Sequence, residues 1–463
     1  MSTALDTRAW QDLDTRAWQD LDARHYLHPF TDHKTLRAKG SRIITKAEGV
    51  YLWDSDGHQI LDGMAGLWNV NVGYGREELV EAAAAQLRQM PYYNSFFQTA
   101  HPPAITLAKT LAELAPPGLE QVFFTSSGSE ANDTVVRLVR HFFDLQDQPQ
   151  RKAIIGRHNG YHGSTVAAAS LGGMKPMHAQ GGLPIPDIHH IPQPYWYGEG
   201  GDLSPEAFGE QCAKALEDKI LELGPDRVAA FIGEPIQGAG GMIIPPPGYW
   251  PAIQAICRRY GVLLVLDEVI SAFGRIGHWF ASEYYGLEPD LITFAKGITS
   301  GYFPLGGVLV GERVASVLES SGQEFYHGYT YSGHPAACAV ALANLKILRD
   351  EGLVERIRHD TGPYLQARWR ELAEHPLVGE ARGLGFLGAL ELVKDKAQRT
   401  RFEPQGRVGF ICRDHCFAQG LVMRSVQDTM IISPPLIAER HHIDELVAKA
   451  RRCLDLTAAD LAR

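Results

Sequence analysis

The stretch GVLLVLDEVISAFGRIG, residues 261–277, indicates the fold of the whole chain. Five aliphatic residues run from Val262 to Leu266 without a polar residue between them. Such a run is typical of a strand that is buried on both faces inside a parallel sheet. Two carboxylates, Asp267 and Glu268, follow at once. Because an unpaired buried carboxylate is costly, we expect a partner group at the end of this strand.

Helical and strand-like patterns alternate around this stretch, from about residue 75 to residue 334. The alternation predicts parallel strands with helices packed on both faces of the sheet. From about residue 335 a long helix, two strand-like runs and a final helix predict a smaller α+β domain. The sequence therefore predicts an α/β protein with a mostly parallel, doubly wound sheet. We expect an N-terminal segment at 1–74, a large domain at 75–334 and a small domain at 335–463.

Composition and charge exclude several classes of protein. The chain has 463 residues, of which 45% are hydrophobic and 21% charged, and its net charge is −10. That charge argues against a nucleic-acid binder, and no apolar run is long enough to span a bilayer. Six cysteines without a C-x-x-C pair indicate reduced thiols, so we expect a cytoplasmic protein. An exact tandem repeat, DTRAWQDL at 6–13 and 14–21, is too short for a repeat fold and is compatible with a helix or a tail.

The motif FFTSSGSEAND, residues 123–133, predicts a strand that turns into a helix at about Ser129. Free backbone donors at a helix N-terminus, with hydroxyls and a glycine, can hold a phosphate. Gly128 and Ser129 are the candidate phosphate ligands. An ordinary capped turn favours the same residue types, so the motif alone does not decide between the two interpretations.

Lys296 stands at the end of the apolar run LITFAKG. Burial at such a position lowers the pKa of a lysine and makes it a candidate Schiff-base amine. Taken alone, the pattern favours a lysine that extends from a strand end to solvent.

Several predicted strands end in functional residues, and in doubly wound sheets ligands bind at the carboxyl ends of strands. These residues are Gly128, Ser129, Tyr161, Glu234, Asp267 and Lys296. A phosphorylated aromatic aldehyde needs such a set: Lys296 for an imine, Asp267 for a cationic ring nitrogen and Tyr161 for one ring face. The combination predicts pyridoxal 5′-phosphate as the cofactor.

Six motifs of the chain resemble those of the class III aminotransferases of fold type I. They are TSSGSEAN, NGYHGST, GEPIQGAGG, LDEVISAFGR, FAKGITSGYFPLGG and HGYTYSGHP. More narrowly, GMAGLWNVNVGYG, SLGGM and QPYWYGEGG are similar to ω-amine:pyruvate transaminases, among which the putrescine and polyamine enzymes are the most similar. The resemblance runs from about residue 22 to the C-terminus. It implies a large cofactor-binding domain and a smaller domain to which both termini contribute.

The resemblance also implies roles for individual residues that bind the cofactor. Lys296 would carry the cofactor and move the proton between substrate and cofactor carbons, and Asp267 would meet the ring nitrogen. Val269 would pack on the ring face opposite Tyr161. Thr330 would reach the phosphate of the neighbouring subunit, so that each site is built from two chains of a homodimer. The sequence does not decide between a dimer and a tetramer.

The substrate pocket is assigned by the same resemblance. Trp68 would line the pocket, with Phe30 near its entrance. Phe96 and Phe97 would be supplied by the partner chain. Arg424 would be a mobile arginine that pairs with a substrate carboxylate and folds away when an amine enters, and an arginine fork suits a carboxylate.

Together these expectations describe a transaminase that moves an amino group from a primary amine to a keto acid, with pyruvate as the expected acceptor. The donor could be a diamine, an ω-amino acid or an aryl-alkyl amine. A decarboxylase or aminomutase of the same fold, a cofactor-binding regulator and a nucleotide-binding protein are the alternatives.

The sequence also contains a misleading glycine motif and several departures from the family pattern. GLGFLG at 383–388 has the spacing of a dinucleotide motif but precedes a strand instead of following one, so we expect no Rossmann site. His189 and His190, like His441 and His442, are neighbours in sequence and cannot both face one metal from a regular element, so we expect no metal site. The chain also departs from the usual family pattern near the site, with Asn69, Ser271, Ala272 and Tyr329 where relatives carry Cys, Cys, Gly and Phe.

Overall fold

The computed structural model describes residues 13–462. The first octapeptide copy, 6–13, lies outside the described residues except for Leu13. The second copy forms most of the first helix, and Asp14 caps that helix by accepting a hydrogen bond from the Ala17 amide at 2.8 Å. An aspartate is a favourable residue at this position because it satisfies a free amide of the first turn.

The N-terminal part consists of two helices, which are followed along the chain by a small antiparallel meander. Its elements are α1 (Thr15–His25), α2 (His33–Lys39), β1 (Ile44–Glu48), β2 (Tyr51–Asp54), β3 (Gln59–Asp62) and the helical turn α3 (Ala65–Trp68). Its sequence, RIITKAEGVYLWDSDGHQILDG at 42–63, consists of short β-rich runs that turn at Asp-Gly, which is typical of a meander.

The central part alternates helices and strands as the sequence predicts. Its elements are α4 (Glu77–Gln89), α5 (Pro102–Leu114), β4 (Gln121–Thr125), α6 (Gly128–Asp144), β5 (Ala153–Arg157), α7 (Val166–Leu171), α8 (Lys175–Gly181), β6 (Ile188–Ile191), α9 (Trp196–Glu199), α10 (Pro205–Leu223), β7 (Val228–Gly233), α11 (Tyr249–Tyr260), β8 (Leu263–Asp267), α12 (Ala281–Tyr285), β9 (Leu291–Phe294), β10 (Gly306–Val310) and α13 (Glu312–Ser321). Helix α6 begins one residue earlier than expected, because Ser127 caps it through the Glu130 amide.

Seven strands form one sheet in the order β4-β10-β9-β8-β7-β5-β6. All pairings are parallel except those of β10, which runs antiparallel to both of its neighbours. The other six strands therefore end at the same edge of the sheet. The predicted mostly parallel sheet is confirmed.

Strand β8 is the stretch with which the sequence analysis began, and it is buried on both faces. Leu264 and Leu266 belong to one hydrophobic cluster, whereas Leu263 and Val265 belong to the cluster on the other face. Helices cover both faces, which explains why the strand has no polar alternation.

The C-terminal part has five helices and five strands within the described residues. They are α14 (Pro335–Asp350), α15 (Leu353–His359), α16 (Thr361–Arg370), β11 (Val378–Leu384), β12 (Leu387–Leu392), α17 (Arg407–Ala418), β13 (Leu421–Val422), β14 (Arg424–Val426), β15 (Thr429–Ile432) and α18 (Arg440–Leu461). The helical region after residue 335 is divided, since Gly352 adopts a left-handed conformation after α14. GLGFLG spans the turn of the antiparallel hairpin β11–β12, with only Gly385 and Phe386 between the strands. It follows a strand as well as preceding one, which the sequence analysis did not expect, but no helix follows it, as a nucleotide loop would require.

The N-terminal and C-terminal parts share a sheet. Strand β13 pairs in parallel with β3, through Leu421 opposite Leu61 and Val422 opposite Asp62. Strands β11, β12, β15 and β14 form a separate antiparallel sheet. None of the helices within residues 13–462 combines the length and the apolar composition that crossing a membrane requires.

Candidate active site

The segments that follow five strands of the large sheet line one cavity of about 930 Å³. They follow β4, β5, β7, β8 and β9, whose carboxyl ends meet at the same edge. The predicted residues among the lining are Phe30, Trp68, Gly128, Ser129, Tyr161, Glu234, Asp267, Val269, Lys296 and Arg424. The fold therefore collects residues that are up to several hundred positions apart in the sequence.

Asp267 is buried and held by three donors. Its Oδ2 accepts hydrogen bonds from Asn132 Nδ2 at 2.9 Å and His162 Nδ1 at 2.7 Å. Its Oδ1 accepts one from the Val269 amide at 3.1 Å. The carboxylate that the sequence left without a partner is thus fixed in direction before any ligand binds, and it lines the cavity.

Glu268, the next residue, contacts the start of α12 and not the cavity. Its carboxylate accepts hydrogen bonds from the Ala281 amide, from the Ser282 amide at 2.8 Å and from Ser271 Oγ at 3.1 Å. Burial raises the pKa of Glu268 to about 7, although these hydrogen bonds act in the opposite direction. Glu268 therefore fixes the start of α12 and does not line the cavity.

Lys296 lies two residues after Phe294, the last residue of β9, and has a left-handed backbone with a φ of 49°. Its Nζ lies 5.5 Å from the centre of the Trp68 ring. Burial lowers the pKa of Lys296 to about 8, while the charges of Asp267 and Glu234 oppose that shift. A lysine in this state supplies a neutral, nucleophilic amine at mildly basic pH.

Glu234 holds two loops of the cavity together. Its Oε1 accepts a hydrogen bond from the Tyr161 amide at 3.0 Å, and its Oε2 accepts one from the Gly238 amide at 2.8 Å. Burial raises the pKa of the Glu234 carboxyl above its ordinary value. Its carboxylate oxygens are thus engaged with the backbone, and the loop that they hold carries the Tyr161 ring.

The start of α6 forms a tight cradle. Its first amides have no acceptor inside the helix, as at every helix N-terminus. A Cβ at Gly128 would lie 3.0 Å from Cγ2 of Val269, and a Cβ at Gly163 would lie 2.5 Å from Oγ of Ser129. Side chains at these two positions would fill the cradle, so the glycines keep the backbone accessible to an anion.

Together these groups fit pyridoxal phosphate. The amides of α6 suit a phosphate, the buried amine of Lys296 suits an aldehyde, and the fixed carboxylate of Asp267 suits a cationic ring nitrogen. The side chains of Tyr161 and Val269 line the same cavity.

Two basic side chains of the cavity wall approach the ring of Trp68. The Arg424 guanidinium lies 4.8 Å from the centre of the Trp68 ring, which Lys296 also approaches. Burial lowers the pKa of Arg424. Among residues 13–462, no carboxylate forms an ion pair with Arg424. Phe30 reaches the entrance, where its ring centre lies 6.5 Å from that of Tyr161.

Three predicted residues do not line the cavity of their own chain: Phe96, Phe97 and Thr330. They lie together on the surface, since Tyr92 Oη donates a hydrogen bond to the Thr330 carbonyl at 2.7 Å and Phe96 packs beside Gly328. The Phe97 side chain is 88% exposed.

Sequence reasoning missed both side chains that orient Asp267. Asn132 and His162 occur in motifs that we singled out, TSSGSEAN and NGYHGST. Nothing in the sequence indicates that their side chains form hydrogen bonds with Asp267. It also missed Phe410, Arg413 and Ser425, which line the cavity beside Arg424.

Comparison with known proteins gives matches over nearly the whole chain. Residues 35–454 match aminotransferase class-III. A putrescine–pyruvate aminotransferase of Pseudomonas aeruginosa is 63% identical over 457 residues, which cover 99% of this chain and 98% of that protein. A diaminobutyrate–2-oxoglutarate transaminase of Halomonas elongata is 44% identical over 91% of this chain and 92% of that protein.

Solved structures agree with these matches. An (S)-enantioselective omega-transaminase from Thermomicrobium roseum superposes with a TM-score of 0.93 at 44% identity, over 96% of this chain and 99% of that one. An omega-transaminase of Pseudomonas jessenii in complex with PMP gives a TM-score of 0.93 at 39% identity, over 95% and 98% of the two chains.

Proposed function

This chain belongs to the class III aminotransferases, which are pyridoxal-phosphate enzymes of fold type I, and from this premise we propose that it transfers the amino group of a primary amine to pyruvate. The products are an aldehyde or ketone and alanine. One observation supports the proposal above all: Lys296 and Arg424 approach the same Trp68 ring inside one cavity. A keto acid can therefore present its carbonyl near Lys296 and its carboxylate to Arg424.

The residues of the chain supply the proton transfer. When bound, pyridoxal phosphate withdraws electrons from the substrate carbon that bears the nitrogen, so that a proton on this carbon becomes acidic. Lys296 is placed to take that proton on Nζ and to return it, because burial keeps a large share of the amine neutral near pH 8. Asp267 would keep the cofactor ring nitrogen protonated, and His162 and Asn132 hold the Asp267 carboxylate in place.

Arg424 serves the acceptor half of the reaction. With a keto acid bound, its guanidinium would pair with the substrate carboxylate in a bidentate contact. With a simple amine bound, the cation keeps its favourable contact with the face of Trp68. The same cavity can thus accept first an amine and then an anion. Among amine donors we propose short primary amines such as putrescine, which the name of the 63% identical relative includes.

We also infer that two copies of the chain complete each other's sites. Phe97, Tyr326 and Tyr331 are 88%, 77% and 62% exposed, an aromatic surface that favours a protein partner. Thr330 lies within that surface. Six free, buried cysteines fit a reducing, cytoplasmic location. Light scattering after gel filtration should give twice the chain mass or more, whereas a fully active monomer would contradict the shared site.

The direct test is to incubate the purified holoprotein with putrescine and pyruvate and to measure alanine. We expect alanine in equal amount to the oxidised amine. Release of carbon dioxide from an amino acid without alanine formation would instead identify a decarboxylase, and the absence of any amine-dependent product would contradict the proposal.

A further inference from the structure

The turn that carries Trp68 into the cavity wall has a strained backbone. Within α3, Ala65, Gly66 and Trp68 have positive φ values of 47°, 65° and 61°. Leu67, between Gly66 and Trp68, is also non-helical. Because a positive φ is unfavourable for alanine and tryptophan, this conformation must be held by contacts from other groups.

Asp62 holds the first half of this turn. Its Oδ1 accepts a hydrogen bond from the Met64 amide at 2.9 Å, and its Oδ2 accepts one from the Gly66 amide at 2.7 Å. Tyr74 Oη donates to the same Oδ2 at 2.7 Å. The Asp62 side chain is fully buried and does not line the cavity, so it acts on the turn and not on a ligand.

Asn69 holds the second half of the turn. Its Oδ1 accepts a hydrogen bond from the Leu67 amide at 2.8 Å. Since only the oxygen of the side-chain amide can accept, this bond fixes the direction in which Nδ2 points. Nδ2 packs against Gly301, where a Cβ would lie only 2.5 Å away. The cysteine that relatives carry at this position is a much weaker acceptor.

The side chain that this turn presents to the cavity is the Trp68 indole. The centre of its ring lies 5.5 Å from Lys296 Nζ and 4.8 Å from the Arg424 guanidinium. The indole Nε1 is buried and has no acceptor among residues 13–462. No hydrogen bond of the indole itself therefore fixes the ring, and its position depends on packing and on the backbone turn.

We propose that Asp62 and Asn69 are positioning residues, which hold the Trp68 turn and thereby set the size of the amine that the cavity accepts. The proposal rests on the transaminase function proposed above. With the turn held, the indole is a fixed wall beside Lys296, and a bulky amine must fit the space that this wall leaves. With the turn loosened, the wall can move, and bulky amines gain relative to slender ones.

The test compares benzylamine with butylamine, each with pyruvate as the acceptor. Both amines carry one ammonium group, so the charges of the cavity affect them alike, whereas only benzylamine carries a ring. The quantity measured is the ratio of their kcat/KM values. We expect Asn69→Ala to raise the benzylamine to butylamine ratio by about threefold to tenfold. Asp62→Asn, which replaces an acceptor oxygen with a donor, should raise it by about tenfold or more.

Asp54 provides the matched control for Asp62. Its carboxylate also holds a turn of the same meander, since Oδ1 accepts hydrogen bonds from the Asp56 amide at 3.1 Å and the His58 amide at 2.9 Å. That turn does not line the cavity. Asp54→Asn should therefore leave the ratio unchanged.

A second pair of variants tests whether the effect depends on the indole. In a Trp68→Ala protein the wall is already absent, so adding Asn69→Ala should change the ratio by less than about twofold. A residue that only supports the fold would affect the ratio equally in both backgrounds. An equal change with and without the indole would therefore overturn the proposal.

Hydrogen exchange of the holoprotein measures the turn without any turnover. A peptide that covers residues 64–70 should exchange faster in Asn69→Ala than in the wild type, because the Leu67 amide loses its acceptor. Tyr74→Phe removes one hydroxyl from Asp62 and should also speed up exchange, which keeps the test possible if Asp62→Asn does not fold. Unchanged exchange in both variants would show that these side chains do not hold the turn.

The outcomes separate this proposal from the function on which it rests. If the wild type forms alanine from both amines, but Asn69→Ala and Tyr74→Phe leave the ratio unchanged, the positioning role is wrong and the transaminase stands. If no amine yields alanine, the proposed function fails and the selection of amines fails with it. Faster exchange in Asn69→Ala would then still show that Asn69 holds the turn.

Discussion

The inner and outer ends of the cavity differ in how their polar groups are satisfied. At the inner end the carboxylates of Asp267 and Glu234 accept five hydrogen bonds from the chain itself. At the outer end the Arg424 guanidinium forms no ion pair with a carboxylate among residues 13–462. Polar groups that are already paired within the chain are organised for one reaction, whereas a polar group without a partner can bind different ligands. The difference indicates that the inner end determines the reaction and the outer end selects the substrate.

The largest expected effect is at the inner end, from Lys296→Ala. Without the amine, neither covalent attachment of the cofactor nor proton transfer is possible, so alanine formation should fall by about 10⁴-fold or more. The measurement is the initial rate of alanine formation from putrescine and pyruvate. Lys346→Ala, which changes an exposed lysine on α14, should retain full activity. A Lys296→Ala protein within tenfold of the wild type would exclude Lys296 as the catalytic amine.

The next effect concerns the charge of Asp267. Asp267→Asn retains an oxygen that can accept from the Val269 amide but removes the negative charge, so we expect a loss of about 10²- to 10³-fold in kcat. The adjacent Glu268 is the control, because it contacts α12 and not the cavity. Glu268→Gln should cost less than about tenfold in rate. Equal losses in the two variants would contradict the distinction between these neighbouring carboxylates.

Arg424→Met tests the outer end. Loss of the guanidinium should raise KM for pyruvate by about 10- to 100-fold, because the keto acid loses its bidentate partner. The rate of the amine half-reaction, measured without pyruvate, should change by less than about threefold. A variant that loses both half-reactions to the same extent would show that Arg424 supports the site as a whole.

The smallest effect is a pH dependence at Lys296. Only the neutral amine can attack an aldehyde, so the rate at which apoprotein captures pyridoxal phosphate should rise with pH and level off above about 8, the pKa to which burial lowers Lys296. Below that pH the rate should fall about tenfold per pH unit. Stopped-flow absorbance gives these rates. A rate that still increases near pH 10 would indicate an ordinary, solvated lysine.

The sequence contained enough information for the sheet and for the residues at the strand ends. Asp267 and Lys296 directly follow apolar runs, so the parallel strands alone bring them to one edge. The side chains that orient Asp267 could not be found in this way, because the direction of His162 depends on the loop that contains Gly163, whose φ is 138°. Arg413 was missed because its contact with the cavity depends on the packing of α17 against β14.

Glu268 shows the same limit at a single turn. The sequence places it beside Asp267 but does not show that the chain then bends to bring Ser271 and Ser282 to its carboxylate. Phe96, Phe97 and Thr330 were assigned through resemblance alone, and the structure of one chain places them on its surface.

The most direct test of the account separates the two halves of the reaction in time. Holoprotein is incubated with putrescine alone, the amine is removed by gel filtration, and pyruvate is then added. If the amino group remains with the protein between the two steps, each active site should form one molecule of alanine. If no alanine forms, although the same protein forms alanine when both substrates are present, the amino group is not held at this site and the account is wrong.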